Sequence, residues 1–189
     1  MTLNKNMSVV LAVSSAVTGL FVLISYAVVL VDVAGIFTLQ LPPTSGYLES
    51  HYWLGMPKES ITGIVVLQVV AGIGFVAWVV WLVGMDDYTL QGSILSTLPW
   101  RIALIQTFLW ASVFWPFGAY FYMLNRTLGR ALVACIPLWI AALATILMIG
   151  GTFEARAPVV PTLGMLMFGL IVVLADGVGW AAVCIKTTL

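Results

Sequence analysis

Five stretches of about 20 mostly apolar residues dominate this chain, the length a helix needs to cross the hydrocarbon layer of a membrane. They run roughly Ser8–Ile36, Ile61–Gly84, Arg101–Leu124, Ala131–Gly150 and Pro161–Ile185. Hydrocarbon offers no water to pair with backbone N–H and C=O groups, so segments of this kind close their hydrogen bonds internally as helices. The expected fold class is therefore all-α, a polytopic transmembrane helical bundle of five spans, with four or six as the alternatives. Residues 1–189 read as a single transmembrane domain with no soluble domain.

Composition agrees with lipid as the solvent. Of 189 residues, 62% are hydrophobic and 7% are charged, against about 25% charged in a soluble globular domain. Seven basic residues balance seven acidic ones, so no basic footprint for nucleic acid is present. The first apolar stretch runs past a small-residue site at Ser25-Tyr26-Ala27, which reads as an uncleaved first helix rather than a signal peptide. The bias of cytoplasmic loops towards lysine and arginine collects Lys58, Arg126, Arg130 and Lys186 on one side, and Lys5, Arg101 and Arg156 on the other. Four against three favours the amino terminus outside and the carboxy terminus in the cytoplasm. Which membrane holds the chain is not encoded.

Chemistry-bearing residues are few. Cys135 and Cys184 lie in apolar runs without CxxC or Cys/His spacing, and read as two reduced thiols. His51 is the single histidine, in the long first connection. No metal set, no cofactor motif and no nucleophile–base pair stands out, so the chain does not read as an enzyme. Asp86-Asp87 reads as a polar helix end whose paired carboxylates would attract cations at a mouth.

Two carboxylates lie inside apolar runs, in "VVLVDVAGI" at Asp32 and "VVLADGVGW" at Asp176. A charge at mid-bilayer costs about 2.5–3.5 kcal/mol on insertion scales, and such residues face a bundle interior or a water-filled cavity. Asp176 lies near the middle of its segment and Asp32 late in the first. With five spans both fall in the same half of the membrane. At 100° per residue, Ser14, Thr18, Ser25 and Asp32 lie within about 40° of one another, a polar seam along one helix face. Its hydroxyls either bond carbonyls of their own helix and neighbouring helices or line a hydrated path ending at Asp32. Gly169, Asp176 and Gly179 share a face of the fifth helix by the same arithmetic. Gln68 lies one turn from Gly72, read as a close-approach point.

The third segment is strongly aromatic. Gln106, Trp110, Phe117 and Tyr120 share a face, a wall suited to an apolar ligand, lipid, quinone or pigment. Pro116 and Pro137 interrupt the backbone ladder of the third and fourth segments and are expected to kink them. Three functions follow in order. The first is a small transport or permeation protein for protons, cations or a small solute, with Asp32 and Asp176 as its binding carboxyls. The second is a non-catalytic structural or assembly subunit of a larger membrane complex. The third is a lipid-, quinone- or pigment-binding bundle. Expected partners are membrane lipids and other chains, in a homo- or hetero-oligomer within the membrane.

Overall fold

A computed structural model describes residues 2–30, 58–85 and 89–189, and all regular structure among them is helical. Five helices are long and apolar enough to cross a membrane. They are α1 (Thr2–Leu30), α2 (Lys58–Gly84), α3 (Leu98–Leu124), α4 (Leu128–Glu154) and a composite fifth one. The fifth consists of α5 (Val159–Gly169), a π-helical stretch (Leu170–Trp180) and α6 (Ala181–Lys186), end to end.

The helix ends lie where local chemistry sets them. Thr97 precedes α3 in an extended conformation, and Pro99 follows in the first turn, where its missing N–H costs nothing. Arg101 thus stands inside the helix and not at its edge. Thr127 caps α4 by accepting from the Arg130 N–H at 3.4 Å. Helix α4 extends beyond Ala131–Gly150 at both ends. The connection before α3 holds a 3₁₀ turn, Ile94–Ser96, capped by the Ser93 hydroxyl, which accepts from the Leu95 N–H. Arg156 turns the chain between α4 and α5 with φ of 49°.

Helices α3 and α4 form the centre. Gly118 of α3 approaches α4 so closely that a Cβ there would lie 2.9 Å from the Val133 carbonyl oxygen. That carbonyl is the one Pro137, four residues on, has no N–H to engage. The composite fifth helix packs on α4, α2 packs chiefly on α5, and α1 packs chiefly on α3. Helices α1 and α2 touch each other only lightly.

Helix α2 is seated by a backbone contact. A Cβ on Gly74 would lie 2.8 Å from both the Cα and the carbonyl oxygen of Gly164. Small residues of this kind let helices meet where apolar surroundings supply no hydrophobic drive. The close-approach glycine is therefore Gly74 and not Gly72, around which a Cβ would meet nothing within 4 Å. Beside the contact Phe75 stacks on Phe168 at 4.5 Å and tilts against Phe108 at 5.3 Å, joining α2, α5 and α3. One turn further, the Trp78 indole donates to the Thr152 hydroxyl at 2.8 Å.

Gly74→Leu is expected to destabilise the protein by about 1–3 kcal/mol, the cost of forcing extra atoms into a packed contact. Gly72→Ala should stay within about 0.5 kcal/mol of the parent. Unfolding by denaturing detergent in mixed micelles, followed by circular dichroism, checks both.

Candidate functional site: a cavity at Asp176

A cavity of about 450 Å³ lies between α1 and α2 on one side and α3, α4 and the fifth helix on the other. Its volume falls within the range of small-molecule sites, about 300–1,000 Å³. Phe108 and Phe168 close one end, with ring centroids 5.0 Å apart. Trp115 stands at the other end against Tyr26 of α1, at 5.5 Å. Leu23 and Val69, 68% and 59% exposed, line the opposite side, so the cavity opens on the outer surface between α1 and α2.

Polar groups in this wall are scarce. Asp176, Gln68, Ser112, the Tyr26 hydroxyl and the Trp115 indole supply them, and no lysine, arginine or histidine stands among the described lining residues. The Gln68 side-chain amide lies beside the Asp176 carboxyl. The Ser112 hydroxyl donates to the Phe108 carbonyl at 2.9 Å within its own helix. Pro116, four residues on, has no N–H for the Ser112 carbonyl, which frees that oxygen beside the cavity. Pro137 contributes its ring to the wall.

Asp176 lies within the π-helical stretch, where hydrogen bonds run from i to i+5. Such stretches are rare and concentrate at functional sites. Phe168, Val172 and Asp176 recur every fourth residue and all reach the cavity. Gly169 and Gly177, which follow Phe168 and Asp176, turn away from it. A Cβ on Gly169 would meet the Ile149 side chain, and one on Gly177 would lie 3.1 Å from the Ala142 Cβ, both on α4. The face shared by Gly169, Asp176 and Gly179 in α-helical arithmetic is thus divided, because the π-helix turns less per residue. Beside Asp176, the Trp139 indole donates to the Gly177 carbonyl at 3.1 Å, while the Ala181 N–H bonds Val178.

The polar seam of α1 behaves differently from Asp176. Ser14 donates to the Leu11 carbonyl at 3.2 Å and Ser25 to the Val22 carbonyl at 2.8 Å, both within α1. The Thr18 hydroxyl lies 2.9 Å from the Ser14 carbonyl and 2.8 Å from Gln106 Oε1 of α3. Its single proton serves one of the two at a time. Asp32 lies outside the described residues, as do His51 and Asp86-Asp87.

Gln106 and Trp110 meet α1, where Trp110 stacks on Phe21 at 6.1 Å. Gln106 Nε2 is buried with no hydrogen-bond partner. Phe117 and Tyr120 lie further along α3, packed against a second apolar cluster containing Trp115, Tyr122 and Trp180. The α3 side chains in the cavity are instead Phe108, Ala111, Ser112 and Trp115, roughly opposite Gln106 around the helix. The sequence marks Gln68 only as a neighbour of Gly72 and does not mark Ser112 at all. Gln68 did carry a signal, as a polar residue deep in an apolar segment.

Cys135 and Cys184 are fully buried free thiols that face each other between α4 and α6. Nearby, the Tyr122 hydroxyl lies 2.8 Å from the Cys184 carbonyl and 2.7 Å from the Thr187 hydroxyl, tying α6 to α3.

No protein family, no curated protein and no solved structure matches this chain.

Small membrane-permeant maleimides offer a direct measure of access. The parent protein should remain unlabelled under native conditions, since both thiols are fully buried. Asp176→Cys should gain one label per chain by intact-mass spectrometry. A variant that labels only after unfolding would show the cavity closed to reagents.

Proposed function

We propose that this chain is a small membrane transport protein whose working centre is the Asp176 cavity. The supporting observation is the meeting of one carboxyl, one amide and an open cavity lined by all five span-length helices. Asp176 is the acidic residue in the interior of the described spans. A carboxyl in such a place, with no basic side chain in the wall beside it, is neutralised by a proton or by a bound cation. Either event changes the charge facing the cavity, which is the elementary requirement of a carrier for protons, cations or a small solute. The π-helical backbone and the freed Ser112 carbonyl add polarity that an ordinary apolar helix would lack.

In this reading the α1 hydroxyls stabilise their own helix, and Asp176 with Gln68 carries the function. Reconstitution into proteoliposomes tests the division. Asp176→Asn should lower proton or cation flux about tenfold or more, while Ser25→Ala should change it less than about twofold. A parent protein that conducts nothing, or an Asp176→Asn variant that conducts equally, would remove the transport reading.

A second reading is favoured by one observation. Helices α1 and α2 keep most of their surface outside the bundle, with Val69, Ile73, Val76 and Val80 all at least 59% exposed. A structural subunit of a larger membrane complex would cover that face with neighbouring chains. Native mass spectrometry in mild detergent distinguishes the two, since the transport reading requires no partner of another sequence.

A further inference from the structure

We infer that the Asp176 cavity takes up a lipophilic ammonium ion, entering sideways from the apolar surroundings through the gap between α1 and α2. The inference rests on the proposed reading only in taking this cavity as the working centre.

The wall chemistry selects the ligand class. An alkali or alkaline-earth cation is held by oxygen ligands, six to eight for calcium. Here the side-chain oxygens number only those of Asp176, Gln68, Ser112 and Tyr26. Even where those oxygens met a bare metal ion, the largely apolar remainder of the cavity would stay empty. A proton alone would satisfy the carboxyl but leave about 450 Å³ of apolar space unoccupied. A neutral lipid tail would fill that space and leave the carboxyl without a counter-charge. An organic cation meets both demands, with the ammonium at Asp176 and an apolar body against Phe108, Phe168 and Trp115. Aromatic faces also attract ammonium groups directly, with a strength that grows when water is excluded.

The route follows from the packing. The exposed Leu23 and Val69 at the mouth belong to α1 and α2, which touch each other only lightly. Leu23 and Val69 present apolar side chains to a ligand that arrives from lipid. Opposite the mouth the wall is built on α3, α4 and the fifth helix, whose packing is close at Gly118 and Gly177.

The test uses radiolabelled benzyltrimethylammonium and its uncharged carbon isostere, neopentylbenzene, with the full chain in detergent micelles. The parent protein should bind the cation saturably at one per chain, and excess neopentylbenzene should displace it far less well than unlabelled cation does. Asp176→Asn should weaken cation binding about tenfold or more. Ser112→Phe keeps the carboxyl and places a ring in the cavity, so it should abolish binding while leaving the unfolding transition in place. Ser112→Phe also decides the matter should Asp176→Asn fail to fold. Unsaturable uptake by the parent protein, equal displacement by the neutral isostere, or unchanged binding in Ser112→Phe would each overturn the inference. Saturable binding without any flux would remove transport and leave the ligand class standing. Proton or alkali-cation flux without amine binding would remove the ligand class alone.

Discussion

Gly74 rests on Gly164, backbone against backbone, and the placement of α2 follows from that contact. The next residue, Phe75, is delivered into the junction with Phe108 and Phe168, and Trp78 one turn on reaches Thr152. In the other direction along α2, Gln68 arrives beside Asp176. Because α2 is held at this crossing and α1 is held separately on α3, the two outer helices have little to say to each other. The open side of the cavity is the space their separate attachments leave.

At one end of the bundle a second set of contacts fixes the chain between α2 and α3. The Arg101 guanidinium is buried and turned onto backbone oxygens, with Nε donating to Leu95 at 2.6 Å and Nη1 to Met85 at 3.0 Å. Arginine suits this place because its rigid fork of donors serves several carbonyls at once. Ser93 donates to the Gly151 carbonyl at 2.7 Å, and the Ile94 N–H donates to Glu154 at 3.0 Å, so the connection is laid against the end of α4. In the sequence Arg101 counts as one more loop cation. The carbonyls of Met85, Leu95 and, at 3.3 Å from Nη2, Ser96 that accept from it belong to a connection whose path no periodicity encodes.

Much of the architecture is legible in the letters because apolar length alone dictates span-length helices. The polar stripe of Ser14, Thr18 and Ser25 is also legible as a stripe, since helical arithmetic holds for α1. What those hydroxyls bond to is a separate matter, decided by carbonyls three or four residues back within the same helix and, for Thr18, also by Gln106 of α3. Around Asp176 the arithmetic itself breaks down. A π-helix advances each residue by a smaller angle, so Gly169 and Gly177 turn towards α4 while Phe168, Val172 and Asp176 line the cavity. Nothing in "LIVVLADGVGW" declares that register. The choice between Gly72 and Gly74 was equally hidden, because either glycine fits a small-residue pattern and only the crossing point separates them.

The fifth helix is clamped at both of its ends. Gly164 is held on Gly74 near the start, and the Tyr122 hydroxyl grips the last turn through the Cys184 carbonyl and the Thr187 and Thr188 hydroxyls. A rod fixed at two points cannot shed surplus winding by rotating a free end. The irregular register is therefore confined to the eleven residues between the clamps, and Asp176 belongs to the segment that absorbs it. The orientation of that carboxyl is set by two distant grips as much as by its own neighbours.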